Sequence, residues 1–173
     1  MRKQFVHKGF TLIELLVVIA VVGVLAGAVI AIINPNAQFA RARNAQRKTD
    51  LREIANALLR YATSRGVYPS TGGAWCNTAN IGTYVCGTNP MQTLVTSGDL
   101  KKIPIDPRIG TAYLPCNTAP DMGYLYRSDT GADYKILAHC SPEGDAFSAT
   151  DPFYDPVRPT NGWQISTPGG ASY

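Results

Sequence analysis

The sequence predicts an α+β protein in which a long N-terminal α-helix packs on a small antiparallel β-sheet head. Three observations support this fold class. Residues 10–33 are almost entirely apolar, apolar residues then recur at a helical period as far as residue 62, and two short strand-like segments flank a turn beyond residue 120. The chain has 173 residues, which is enough for one domain of ordinary size.

The apolar segment, residues 10–33, is 24 residues long. As a helix it would measure roughly 36 Å, which exceeds the thickness of about 30 Å of a bilayer's hydrocarbon core. Residues 1–9 carry three basic residues and no acid, and such a bias favours the cytoplasmic side. The segment therefore predicts a transmembrane helix with its N-terminus inside. Glu14 is an acid within it, and an ionisable group in a spanning helix is costly enough to suggest a function.

Two simpler interpretations compete for this segment. Ala26-Gly27-Ala28 fits the small-x-small rule for a secretory signal peptidase, which would leave Val29 as the first mature residue. Glu14 inside the run and the apolar residues 29–33 beyond the cut count against a signal peptide. A plain single-pass anchor explains the length of the segment but leaves Glu14 without a purpose.

The third interpretation rests on the run Lys8-Gly9-Phe10-Thr11-Leu12-Ile13-Glu14-Leu15-Leu16-Val17-Val18-Ile19. This run closely resembles the class III signal of type IV pilins and type II secretion pseudopilins. The resemblance implies that a prepilin peptidase cuts between Gly9 and Phe10, that residues 1–9 are the leader it removes, and that Phe10 becomes N-methylated. It also places the acid of the family's motif at Glu14. The family's frequent proline at the twenty-second mature position is replaced here by Ala31, so the position of any kink is not transferred.

Physical chemistry gives Glu14 a matching purpose. Cleavage would create an ammonium group at Phe10, four residues before Glu14. A charge buried in or beside lipid is strongly destabilising when it loses its partner. We therefore expect Glu14 to bind the Phe10 ammonium of an adjacent subunit during assembly, as a check on register.

The resemblance implies a structural subunit of a type IV pilus-like filament, without enzymatic activity of its own. A major pseudopilin of a type II secretion system and a DNA-uptake (competence) pilin are the alternatives. The implied partners are further copies of the chain, a prepilin peptidase, and an inner-membrane assembly platform driven by a cytoplasmic ATPase. The implied location is the bacterial inner membrane before assembly, and the cell surface, an extracellular filament or the periplasm afterwards.

A second, amphipathic helix is predicted for residues 34–65, which form the stalk. Asn34 can cap it with Pro35 at its first position, or Pro35 can kink one longer helix. Gly66 suits the helix stop. The apolar stripe that should face the head consists of Leu51, Ile54, Ala55, Leu58, Leu59 and Ala62.

The stalk also contains a basic cluster, Arg41, Arg43, Arg47 and Lys48. Because it has little aromatic interleaving, we interpret it as a solvated helix face or a contact between subunits rather than as a nucleic-acid site. Removal of the leader would reduce the 16 basic residues to 13 against 12 acids, so the net charge of +4 is mostly a topology signal and is no argument for nucleic acid.

The head, residues 66–173, contains 24 glycines and prolines among its 108 residues and is predicted to be rich in loops. One short helix is expected after Asn89-Pro90. Strands are expected at 124–127 and 134–138 around a turn at 129–132, with a possible third strand at Tyr113-Leu114. Residues 141–173 are expected to be mostly connection.

Four cysteines lie on the predicted outer side of the membrane, where disulfides form. Three connectivities are possible. We favour Cys76 with Cys86, which closes a local loop, and Cys116 with Cys140, which resembles the C-terminal disulfide-bounded loop of many pilins. A zinc site is the competing interpretation, but the sequence has no Cys-x-x-Cys spacing and His139 is the only histidine of the head.

No cofactor is expected, with calcium as a weaker alternative. Major pseudopilins often hold calcium in a loop after the sheet, and Asp145, Asp151 and Asp155 would be the candidate ligands here, although no fixed ligand pattern is present. The sequence contains none of the catalytic motifs sought either: it lacks Gly-x-Ser-x-Gly, His-Glu-x-x-His and a phosphate-binding glycine loop.

Overall fold

The computed structural model describes residues 9–32, 34–80, 82–112, 122–160 and 162–173. The chain divides into two compact units, Met1–Gln38 and Phe39–Tyr173. The first contains helix α1, Leu12–Ile32, and the start of helix α2, Pro35–Arg65. The second contains the rest of α2 and the head. The expected α+β class is confirmed.

Apart from Glu14, helix α1 consists of apolar residues and glycines. Within it, Leu12–Ile30 has a mean hydropathy of 2.8 and none of its residues is buried. The stretch is long and apolar enough to cross a membrane, a property that signal sequences share. An apolar surface without protein cover needs lipid or other protein chains around it.

Helix α2 starts and stops at the signals that the sequence carries. The Asn34 side-chain oxygen accepts a hydrogen bond from the Ala37 N–H at 3.2 Å, and Pro35 is the first helical residue, so Asn34 is the N-cap. At the other end Gly66 has a φ of +78° and its N–H donates to the Ala62 carbonyl at 2.7 Å. A positive φ is available to glycine at no steric cost, which explains why the helix ends there.

The predicted stripe of α2 faces the core of the head. Leu51, Ile54 and Leu58 are completely buried. Their neighbours in the core come from the sheet and from the short helix, and include Met91, Leu94, Tyr124, Tyr126, Ile136 and Trp163. Leu59, expected in the stripe, is instead 57% exposed. The stripe is centred on Ile54 and Leu58, and Leu59 is turned about 100° away from Leu58.

The head contains a four-stranded antiparallel sheet in the order β1-β2-β3-β4. The strands are β1 Cys76–Asn77, β2 Gly123–Arg127, β3 Lys135–His139 and β4 Gly162–Ser166. Helix α3, Pro90–Thr96, is capped by Asn89, whose side chain accepts from the Met91 N–H at 3.0 Å. The expected hairpin of β2 and β3 and the expected short helix are both present.

The structure corrects the prediction that residues 141–173 are mostly connection. Strand β4 pairs with β3 along its whole length, and a 3-10 helix follows at Gly169–Ser172. Trp163 and Ile165 contribute to the core, so β4 does have strand-like alternation. The five prolines and four glycines of residues 141–173 masked a pattern only five residues long. Strand β1 was not expected either, and the possible strand at Tyr113-Leu114 lies outside the described residues.

Candidate functional site

The residues singled out at the N-terminus surround the first turn of α1. Gly9 and Phe10 precede the helix, and the Phe10 side chain is 82% exposed. Thr11 is the residue before the first helical position, and Glu14 is the third residue of the helix. The site is therefore a helix N-terminus with an aromatic residue just outside it.

Thr11 and Glu14 form a reciprocal hydrogen-bonded pair. Glu14 Oε2 accepts from the Thr11 N–H at 2.8 Å and from the Thr11 hydroxyl at 2.7 Å. In return the Glu14 N–H donates to Thr11 Oγ1 at 3.3 Å. This is a capping box, which satisfies two helix N–H groups that would otherwise lack a partner. Its negative charge also lies at the positive end of the helix dipole.

Thr11 is not among the residues expected to act at this site, although the sequence contains the signal for it. Thr11-Leu12-Ile13-Glu14 fits the pattern Ser/Thr-x-x-Glu that defines a capping box. The peptidase motif draws attention to Phe10 and Glu14, whereas the capping pattern links Glu14 to Thr11. Glu14 thus has a partner within its own chain.

The arrangement leaves one oxygen of Glu14 open. Both hydrogen bonds from Thr11 end on Oε2, and among the described residues no hydrogen bond reaches Oε1. A carboxylate can accept several hydrogen bonds, and an ammonium group offers three donors. The site can therefore bind a cation at Oε1 without losing its cap.

The basic cluster of α2, interpreted from the sequence as a solvated helix face or a contact between subunits, instead makes contacts within the chain. Arg47 is fully buried and binds Asp106 through Nε at 2.6 Å and through Nη2 at 2.9 Å. Arg43 binds Glu143 at 2.7 Å, and Lys48 binds Asp151 at 2.6 Å. Of the four cations only Arg41 lacks an ion pair within the described part of the chain. Three of the four cations thus hold α2 to the loops of the head, and these three are not free for a partner.

Glu143 is the centre of this network. Besides Arg43 it contacts Arg47 and, at 3.0 Å, Arg108. Burial alone would raise the pKa of Glu143, but the hydrogen bond from Arg43, the charge of Arg47 and the hydrogen bond from Arg108 together lower it to about 2. Glu143 is therefore ionised throughout the physiological pH range.

The local disulfide expected from the sequence is present. Cys76 and Cys86 are bonded, with their Cα atoms 5.5 Å apart. It ties strand β1 to the loop that precedes α3. Cys116 lies outside the described residues, so its pairing with Cys140 stays a prediction.

The three calcium candidates are not brought together. Asp151 binds Lys48, Asp155 binds the buried Lys135 at 2.9 Å, and Asp145 accepts a hydrogen bond from the Asn44 side chain at 3.2 Å. Within the described ranges, no group of three or more His, Cys, Asp or Glu side chains could hold a metal ion. The expectation of calcium gains no support from these contacts.

The ring of His139 packs against other side chains of the head. Its side chain lies at the end of β3, and its ring packs edge-on against Tyr84, with ring centroids 6.3 Å apart. A small cavity of about 90 Å³ beside it is lined by rings, leucines and Arg158. Cys140, the neighbouring residue, has its sulfur 3.7 Å from Nδ1. Cys140 is disulfide-bonded, so its sulfur is not available as the nucleophile of a Cys–His pair.

Comparison with known proteins agrees with the N-terminal geometry. Residues 6–30 match the family model described as the prokaryotic N-terminal methylation motif. No curated protein and no solved structure gives a significant match. Proteins with this motif are generally structural subunits rather than enzymes. The matched segment contains Gly9, Phe10 and Glu14 together with most of α1. The chain therefore carries the class III signal of type IV pilins and pseudopilins.

Proposed function

We propose that the chain is a structural subunit of a type IV pilus-like filament. In this proposal the precursor spans the inner membrane with residues 1–9 in the cytoplasm, a prepilin peptidase cuts after Gly9, and Phe10 is N-methylated. The subunits then polymerise through α1. The methylation motif at residues 6–30 is the single observation that carries the proposal.

The exposure of α1 supports polymerisation. Its apolar side chains from Leu12 to Ile30 have no cover from the residues that the structure describes. In the membrane, lipid would cover them, and in a filament the α1 helices of other copies would replace the lipid. Such an exchange keeps the apolar surface away from water throughout assembly.

The open oxygen of Glu14 supports the proposed docking step. The ammonium of an incoming Phe10 would find Oε1 without a hydrogen bond, while Thr11 keeps Oε2 in place. The energy for extracting subunits from the membrane would come from the cytoplasmic assembly ATPase and its membrane platform. The chain has no phosphate-binding glycine loop with which to supply it.

The contacts of α2 favour a plain filament subunit over a DNA-uptake pilin. Three of the four cations in the basic cluster bind carboxylates of the head and are not available to phosphates. The calcium loop associated with major pseudopilins also lacks support, because Asp151 and Asp155 bind lysines. A pseudopilin without calcium stays the second candidate.

A Glu14→Leu variant tests the docking step. Leucine keeps the segment apolar and helical, so membrane insertion and cleavage should proceed as in the wild type. Without a carboxylate the incoming ammonium would have no partner, and we expect at least a tenfold loss of filaments sheared from cells, with mature subunit accumulating in the membrane. The matched control is Leu15→Val, a change on the same turn that leaves the charges alone. Wild-type filament yield from Glu14→Leu would show that the docking role is wrong.

A further inference from the structure

One buried acid of α2 has no cation bound to it. The described residues include four buried acids, which are Asp50, Asp106, Glu143 and Asp155. Each of the last three forms an ion pair with an arginine or a lysine. Asp50 forms no ion pair within the described part of the chain. Because an unpaired charge is costly in a protein interior, the ionised form of Asp50 is the least favourable of the four.

Asp50 lies in the contact between α2 and strand β2. It is 8% exposed, and its Oδ2 accepts a hydrogen bond from the Tyr124 hydroxyl at 2.5 Å. Tyr124 belongs to β2 and is completely buried. Among the described residues no hydrogen bond reaches Oδ1 of Asp50. The carboxylate is therefore held by a single neutral donor, which stabilises a negative charge less than a cation would.

The charged groups around Asp50 do not neutralise it. Arg47 lies one turn earlier on α2, but two other carboxylates already bind its guanidinium. Glu53, one turn later on α2, and Asp106, on the loop that follows α3, are acids and disfavour a further negative charge. Tyr124 is the titratable group that contacts Asp50 from the sheet. Asp50 thus lies among one shared cation and two acids.

These surroundings raise the pKa of Asp50 above its ordinary value of 3.8. Burial is the largest cause, and the charges of Glu53 and Asp106 act in the same direction. The hydrogen bond from Tyr124 and the charge of Arg47 lower the pKa without cancelling the rise. The folded chain therefore binds a proton at Asp50 more tightly than the unfolded chain does.

We propose that Asp50 is a pH-sensitive switch that strengthens the contact between α2 and β2 in a weakly acidic medium. The carboxylate takes one proton from the solvent and forms an O–H bond at Oδ1, while Oδ2 keeps the hydrogen bond from Tyr124. The neutral acid removes an uncompensated charge from this contact, so the head becomes more stable.

The direction of this effect is opposite to that of Glu143. Above the folded pKa of Asp50 its buried charge destabilises the head, and this cost disappears as the pH falls through that pKa toward 3.8. Glu143 has a lowered pKa of about 2, so its contribution to stability is lost only below its ordinary pKa of 4.5. Measurements above about pH 5 therefore separate Asp50 from Glu143.

The Asp50→Asn variant tests the switch, because it keeps an oxygen acceptor for Tyr124 and carries no charge. Denaturant unfolding of the full-length chain in detergent, followed by tryptophan fluorescence, gives the equilibrium constant for unfolding of each chain. The ratio of the wild-type constant to the variant constant should fall at least threefold between about pH 7.5 and about pH 5. The other titrating groups are common to both chains, so their contributions cancel in this ratio. A smaller fall, or a rise, would overturn the proposal.

Asp145→Asn is the matched control. Asp145 also accepts a hydrogen bond from a neutral donor, the Asn44 amide at 3.2 Å, but it is exposed. The same ratio for this variant should stay constant within about 1.5-fold over the same pH range. An equal fall for Asp145→Asn and Asp50→Asn would contradict the proposal, because burial would then have no part in the effect.

Carbon-13 NMR of the wild-type chain in detergent gives a second readout that does not depend on the folding of a variant. The carboxyl carbon of Asp50, assigned through its backbone amide, should titrate with a midpoint above 3.8. Tyr124→Phe removes the hydrogen bond to the ionised carboxylate and should move the midpoint higher. A wild-type midpoint at or below 3.8, or a midpoint that does not rise in Tyr124→Phe, would overturn the switch. Neither experiment requires a filament, so both outcomes are independent of the proposed function.

Discussion

Helices α1 and α2 differ in which side chains they expose and which they bury. The apolar residues of α1 are exposed, whereas α2 carries Arg47 into the interior with no exposed surface at all. Globular proteins normally place apolar groups inside and charges outside. The difference indicates that α2 is held to the head within its own chain, through Asp106 and Glu143, whereas the apolar residues of α1 have no cover among the described residues.

The largest expected effect comes from removing the buried cation of α2. Arg47→Met should lower the free energy of unfolding by about 3–5 kcal/mol, because Asp106 loses both of its hydrogen bonds from Arg47 and stays buried. Chemical denaturation of the full-length chain in detergent, followed by the fluorescence of the head's tryptophans, would measure it. Arg41→Met is the matched control on the same helix and should change stability by less than about 0.5 kcal/mol. Equal effects of the two changes would mean that the ion pair does not hold α2 to the head.

A pH titration should reveal the same network. Because the pKa of Glu143 is lowered to about 2 in the folded chain, its contribution to stability is complete above its ordinary pKa near 4.5. That contribution is lost as the pH falls from about 4.5 to about 2, and it amounts to about 3 kcal/mol for a buried carboxylate.

Unfolding curves collected between pH 6 and pH 2 would test this slope. The Glu143→Gln variant should be less stable than the wild type at pH 6 and should lose less stability as the pH falls. If the free energy of unfolding fell with pH as steeply in Glu143→Gln as in the wild type, the acid sensitivity would belong to other carboxylates.

The smallest effect is expected at the capping box of α1. Thr11→Val removes the hydroxyl but keeps the shape of the side chain, and should destabilise the first turn by about 1 kcal/mol. Amide exchange at Glu14 and Leu15, whose N–H groups donate to Thr11, should become roughly fivefold faster in detergent. Thr11→Ser retains the hydroxyl and should exchange like the wild type. Equal exchange in Thr11→Val would show that the box does not hold Glu14.

Sequence patterns predicted the helices well because their signals are local. The apolar run of α1, the Asn34-Pro35 start and the Gly66 stop of α2 each act within a few residues. Strand β4 is different, since it depends on pairing with β3, more than twenty residues away. A five-residue strand among prolines carries too little local signal to be recognised.

The residues of the candidate site were likewise predictable only where the signal is local in the sequence. Phe10 and Glu14 belong to a contiguous motif, and so does Thr11, whose capping role follows from a pattern with a different meaning. The partners of Arg43, Arg47 and Lys48 lie 59 to 103 residues along the chain. Charge patterning shows that a cation is present but not that a distant carboxylate will bury it, which is why the basic cluster was misinterpreted.

Processing at the start of α1 is the central claim, because the exposed helix makes sense as an assembly element only if the leader is removed. Mass spectrometry of the mature chain isolated from membranes or filaments tests it most directly. The proposal predicts an N-terminal peptide that begins with N-methylated Phe10. A chain that begins at Val29, as a signal peptide would leave it, or that still begins at Met1, would contradict it.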